Sequence, residues 1–258
     1  NTDHTFTPNP GRILFVSLTG NDATAVPNDI TKPYRYLQST TDRFGNGVYK
    51  DLRAGDHVVI RGGDWSDVSL FESWIRWTTT FFGQATDALR SGSAPTGLSG
   101  SGWVHLTAYP GPINGNAIED VHYTTPAGKK GGFHGPNSAY RGVVGKYISI
   151  SNLRMDVDIN AQSDAAPINL QYSDGYWRAI NNELGPWAIP SSSSIIGYSA
   201  GISGSGIYQQ SAGAREVKAY GNYIHDIGSS ATSLTNHGIY FDGSVDSEFA
   251  YNHIADIT

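Results

Sequence analysis

Side chains able to move a proton crowd the last third of the chain. Asn236-His237-Gly238-Ile239-Tyr240-Phe241-Asp242 brings an imidazole, a phenol and a carboxylate into one short segment. His and Tyr can serve as base and acid near neutral pH, so His237, Tyr240 and Asp242 form the candidate catalytic set. His237 could instead only cap the turn before a strand. Asp226 and Asp256 stand at the same place in two similar segments. Two such carboxylates can share a Ca²⁺, or can bond backbone amides at a turn. Candidate substrate contacts are Asn169, Gln171, Tyr208, Gln210 and His225, with Trp74 and Trp77 as a flat platform or as packing.

Two reactions could use such groups. β-Elimination from a uronate needs its C6 carboxylate neutralised, a base for the C5 proton and a proton for the leaving oxygen. Hydrolysis of a glycoside needs two carboxylates facing each other across the scissile bond.

These residues sit on a repeat. Ala219-Tyr220-Gly221-Asn222-Tyr223-Ile224-His225-Asp226-Ile227 recurs as Phe249-Ala250-Tyr251-Asn252-His253-Ile254-Ala255-Asp256-Ile257. Gly206-Ile207-Tyr208 precedes the first copy and Gly238-Ile239-Tyr240 the second. Asn152 and Asn182 extend the series backward, with spacings of 30, 40 and 30 residues. A unit of this size, made of short β-rich pieces and turns, signals stacked repeats. Alternation puts Ile207, Val217, Ala219 and Ile224, then Ile239, Phe241, Phe249 and Ile254, on inward faces. Asn152, Asn182, Asn222 and Asn252 are expected at one corner of successive coils, each tolerating a left-handed bend and bonding the next. The fold expected is an all-β, parallel β-helix, a solenoid in which no coil covers its own faces. Because Asp256-Ile257-Thr258 follows directly on a strand, a continuing polypeptide or a second chain is expected to cover that open edge.

Toward the other end, Arg12–Ser17 reads as a strand before the turn Gly20-Asn21-Asp22. Pro33 is expected to open a short helix with Tyr34, Leu37 and Phe44 on one side. Ala54-Gly55-Asp56-His57-Val58-Val59-Ile60-Arg61-Gly62-Gly63 then turns into the first coil strand. Ser-x-x-Gly-Asn-Asp, Lys-Pro-Tyr with a helix, and Ala-Gly-Asp-x-Val-x-Ile-x-x-Gly together resemble the start of exported right-handed parallel β-helix proteins. Polysaccharide lyases of the pectate, alginate and chondroitin-degrading families belong to that group. The resemblance covers Ile13–Trp65, and Trp103–Gly111 fits the next coil. It implies an N-terminal capping strand and helix, a secreted, periplasmic or surface location, and polysaccharide bound along one parallel sheet.

The implied activity is β-elimination on an acidic glycan. Asn236–Ser244 also looks like the His-Gly strand of polygalacturonase-type glycosidases, although Asn169-Leu170-Gln171 and Gln209-Gln210 stand where that family carries carboxylates. A hydrolase on the same fold, or a non-catalytic glycan-binding adhesin or tailspike-like stalk, remain the alternatives. Residues 1–53 are taken as cap, 54–65 as first coil strand, 66–102 as an inserted excursion and 103–258 as stacked coils. The excursion's Leu70, Phe71, Trp74, Ile75, Trp77, Phe81 and Phe82 have amphipathic helical spacing.

Composition narrows the remaining classes. The 258 residues include 31 Gly and 12 Pro, as turn-rich β chains do. With no cysteine, disulfides and thiolate metal sites are excluded. A net charge of −6 and unclustered Lys and Arg argue against nucleic acid as partner. No apolar run approaches the length of a membrane-spanning helix.

Overall fold

The computed structural model describes residues 11–37, 47–53, 55–65, 75–76, 103–110, 118–125, 133–134, 147–157, 167–169, 176–189, 202–210, 215–229 and 235–257. Strand β1 (Ile13–Val16) comes first, and the single helical turn α1 (Val48–Asp51) follows. The chain continues through β2 (His57–Ile60), β3 (Gly63–Asp64) and β4 (Ile75–Arg76). A second round is β5 (Val104–Ala108), β6 (Val121–Thr125) and β7 (Phe133–His134). The third is β8 (Ile148–Ser151), β9 (Arg154–Val157) and β10 (Ile168–Asn169). The fourth is β11 (Trp177–Ile180), β12 (Glu183–Leu184), β13 (Trp187–Ile189) and β14 (Ile202–Gln210). Then come β15 (Lys218–Tyr220), β16 (Tyr223–Ser229) and β17 (Thr235–Asp242), and finally β18 (Glu248–Ala250) and β19 (His253–Ile257).

Three sheets result, and their strand pairs are parallel. The first runs β1-β2-β5-β8-β11-β15-β18, the second β13-β16-β12-β9-β6-β3 with β19 also on β16, and the third β17-β14-β10-β7-β4. The chain therefore visits the sheets in turn and returns one strand further along each time. An all-β fold of parallel sheets traversed in this order is consistent with a parallel β-helix.

Alternation explains the core. Along β5 the burial pattern is strict, with Val104, Leu106 and Ala108 buried and His105 and Thr107 between them less so. Leu106 and Ile150 pair across β5 and β8, and both are buried. Full burial of each such aliphatic side chain stabilises by about 1.5–3 kcal/mol. Ile207, Val217, Ala219 and Ile224 are buried as alternation requires, while Ile239 and Phe241 pack partly covered against the same core. Phe249 and Ile254 are a correction: they are 60% and 44% exposed. Among the described residues no strand follows β18 or β19 in the sheet order, so their core-facing side has no further coil against it.

The N-terminal motif residues are structural. Asp22 Oδ1 accepts from the backbone N–H groups of Arg35 and Tyr36 at 2.7 and 3.2 Å. A Cβ at Gly20 would stand 2.0 Å from the carbonyl oxygen of Tyr34, which no side chain permits. Asp56, 2% exposed, takes a two-pronged ion pair from Arg12 and the Arg53 N–H. Among the described residues 33–37 the helix expected from Pro33 does not form. Tyr34 instead bridges Val16 in parallel, its N–H donating to Phe15 and its carbonyl accepting from Ser17, so this stretch extends the sheet. The helical turn falls later, at α1, where Asp51 accepts a bond from the Tyr34 hydroxyl at 2.7 Å. Burial and that bond to a carboxylate push the Tyr34 phenol well above its ordinary range. Phe44 lies outside the described residues. Within the excursion, Ile75-Arg76 is a strand of the third sheet and not part of a helix, because it pairs with Phe133-His134.

A further correction concerns the asparagines. Asn182, Asn222 and Asn252 occupy one register position, but its equivalent in the third round is Leu153, whose N–H donates to Asn182 Oδ1 at 3.1 Å. Asn152 lies one residue earlier, level with Asn181, Gly221 and Tyr251. Those four carry the left-handed bend, with φ of 59°, 53°, 63° and 59°. Bend and ladder are thus adjacent positions rather than one.

Candidate functional site

The third sheet is built from short strands with one repeated pattern. Ile75, Phe133, Ile168, Ile207 and Ile239 are mutually paired, one per strand. Ile168 and Ile207 are wholly buried. The next position carries Arg76, His134, Asn169, Tyr208 and Tyr240, again one per strand. Neighbours in such a row are separated by about 4.8 Å of backbone. Gln210 pairs with Asp242, and Ser205 with His237. Period two sets His237 on the same side as Ile239, and Tyr240 with Asp242 on the other. The His237 and Tyr240 rings nevertheless approach to 5.2 Å between centroids, their planes tilted by 51°.

The expected residues therefore divide. Asn169, Tyr208, Gln210, His237, Tyr240 and Asp242 share the third sheet. His225 and Asp226 lie on β16 and Asp256 on β19, both in the second sheet. Asp226 and Asp256 are level, one round apart, and both adopt positive φ. One oxygen of Asp226 is committed, since Oδ2 accepts from His225 Nδ1 at 2.7 Å. Gln171, Trp74 and Trp77 lie outside the described residues. Arg76 and His134 were missed. Their signal was the dipeptide itself, an apolar residue followed by a polar one, as in Ile168-Asn169 and Ile207-Tyr208.

The second sheet carries a polar network with no counterpart in the sequence motifs. Arg154 Nη2 donates to His122 Nδ1 at 2.7 Å, and His122 Nε2 lies 2.7 Å from Asp156 Oδ2. Arginine has no acceptor, so Nδ1 must hold the lone pair and Nε2 the proton. Arg154 Nη1 also reaches Asp120 Oδ2 at 3.2 Å. Ile118, Asp120, Arg154 and Glu183 help line a shallow groove of about 220 Å³ beside this network. Both ring nitrogens of His122 are engaged, so it is placed as a fixed link in the network rather than as a free base.

On the first sheet, His57 and His105 stack with centroids 4.7 Å apart, and His105 Nδ1 meets Ser149 Oγ at 2.7 Å. Burial first, then the neighbouring His57 and Arg178, pull the His105 pKa down to about 4. A serine–imidazole pair can activate a nucleophile where the hydroxyl is reachable. Ser149 is 4% exposed, so here the pair serves the packing of the sheet face.

Among the described residues no helix is long and apolar enough to cross a membrane. No family model, curated protein or solved structure matches this chain.

Proposed function

We propose that the chain is a right-handed parallel β-helix that cleaves a uronate-containing polysaccharide by β-elimination across its third sheet. What carries the reading is the register that sets Arg76, His134, Asn169, Tyr208 and Tyr240 level on five adjacent strands. The right hand follows from the chirality of crossovers between parallel strands.

The row contains each group that elimination requires. The Arg76 guanidinium, next to His134 in the row, neutralises the C6 carboxylate and acidifies the C5 proton. His134 removes that proton, the C5–H electrons form the C4–C5 double bond, and the C4–O bond breaks. Tyr208 gives its proton to the departing oxygen. His134, Asn169 and Tyr208 lie on three consecutive strands. Tyr240 and Asp242 continue this face on β17, the His237 ring lying 5.2 Å from Tyr240, and Gln210 extends the groove. A polymer of this kind is met outside the cytoplasm, which is where the proposal sets the protein.

The test is incubation of the intact chain with a panel of uronate polymers, with and without a chelator. The expected result is growth of the ultraviolet band of unsaturated uronate together with new reducing ends. Loss of turnover with chelator would assign the carboxylate's neutralisation to a bound divalent cation in place of Arg76. Reducing ends without the ultraviolet band would mean hydrolysis, and glycan binding with neither product would mean a binding protein; each rejects elimination.

A further inference from the structure

The second sheet holds a partly buried histidine–carboxylate set, separate from the proposed groove. His225 Nδ1 stands 2.7 Å from Asp226 Oδ2. A carboxylate oxygen accepts, so Nδ1 carries a proton and Nε2 is the ring nitrogen that a cation can take. That Nε2 is buried, makes no hydrogen bond, and lies 3.5 Å from Glu183 Oε1. The His225 side chain is 12% exposed and that of Glu183 44%, so one ligand atom is sheltered and the other opens to solvent. Gly185, level with His225, adds no side chain to the space. On its other flank Asp156 Oδ1 is likewise buried and without a hydrogen bond. Two carboxylate oxygens and a ring nitrogen make a set whose complementary guest is a cation.

We propose that His225 Nε2 and Glu183 Oε1 are two ligands of a site for a first-row divalent cation of the Zn²⁺ class, with water completing the shell. Their separation fits. Two ligands of a tetrahedral Zn²⁺, each at about 2.0–2.2 Å, stand about 3.3–3.5 Å apart. Asp226 fixes the tautomer and ring orientation, the role a carboxylate takes behind a metal-binding histidine. An imidazole in the set selects Zn²⁺, Ni²⁺ or Cu²⁺ over Ca²⁺, which takes six to eight oxygens. Among the described residues no group of three or more His, Asp or Glu side chains could hold a metal ion, so the proposed site has two protein ligands and water supplies the rest.

Calorimetric titration of the intact, chelator-treated chain with Zn²⁺ tests this, with Co²⁺ absorption as a second readout. One saturable site is expected. Glu183→Gln and His225→Ala should each weaken binding at least about tenfold, Asp226→Asn by about 10–100-fold, and His253→Ala not at all. Wild type without saturable binding overturns the site. So does unchanged affinity in Glu183→Gln, which decides the matter even where His225→Ala fails to fold. Neither outcome depends on polysaccharide cleavage.

Discussion

Asn252 Oδ1 accepts two hydrogen bonds from Asn222, from the backbone N at 3.0 Å and from the carboxamide Nδ2 at 2.8 Å. Asn222 Oδ1 accepts the same pair from Asn182, both at 3.0 Å. Each Nδ2 also donates to a main-chain carbonyl, of Ile150, Ala179 and Ala219 in turn. Asn182 and Asn222 are about 1% exposed, so the bonds between them satisfy groups that water does not reach, while those made by Asn252 are partly buried. Asn222→Ala removes the acceptor for two buried N–H groups. It should lower stability by about 2–3 kcal/mol in chemical denaturation. A loss below about 0.5 kcal/mol would show that the ladder contributes little.

Gly221 is the glycine of the bend position, at φ 63° with open space where a Cβ would stand. Only conformational preference opposes a side chain there. Gly221→Asn should therefore be nearly neutral, since Asn152 and Asn181 already adopt this conformation. Gly221→Val should cost about 1–2 kcal/mol, as a branched Cβ clashes with its own backbone at positive φ. Equal melting temperatures for the two variants would contradict this.

His105 makes stability depend on pH. Its folded pKa, about 4, lies below the unfolded value near 6.5 because burial, His57 and Arg178 all oppose the charged form. Between those values the unfolded chain binds a proton that the folded one refuses. The contribution is complete above about pH 6.5 and is lost as pH falls toward 4, at no more than about 1.4 kcal/mol per pH unit. The His57 pKa is also lowered, chiefly by burial, and works in the same direction. His105→Gln should flatten the decline of melting temperature over this window. An unchanged slope would locate the sensitivity elsewhere.

For the proposed elimination, Tyr208→Phe and His134→Ala should each lower turnover by about 10²–10⁴-fold with melting temperature unchanged. Arg76→Ala should raise KM as well as lower kcat, since carboxylate binding precedes and accompanies proton loss. Tyr223→Phe, on the second sheet, should leave both constants unchanged. Retained turnover in His134→Ala together with its loss in His237→Ala would move the base to β17.

Much of the fold was legible because a coil must present the same faces to its neighbours above and below. Ile207 with Ile239, and Tyr208 with Tyr240, were aligned by their Gly-Ile-Tyr segments, and the register repeats that alignment. Asn152 misled because Leu153 occupies the ladder position in its round, leaving a bend asparagine one residue early. Pro33-Tyr34 misled because a proline compatible with the first turn of a helix is equally compatible with an extended edge.

The amino-acid order alone determined the all-β character, the thirty-residue unit, the inward aliphatic positions and the Asn182–Asn222–Asn252 series. Those follow from local periodicity, which each segment carries within itself. Only the tertiary structure decided which residues meet across rounds. Arg76 and His134 join Asn169 and Tyr208 through strands of two residues, too short to show any period. Arg154, His122 and Asp156 come from two rounds, as do Glu183 and His225, so their contacts exist only once the parallel register has closed the distance between them.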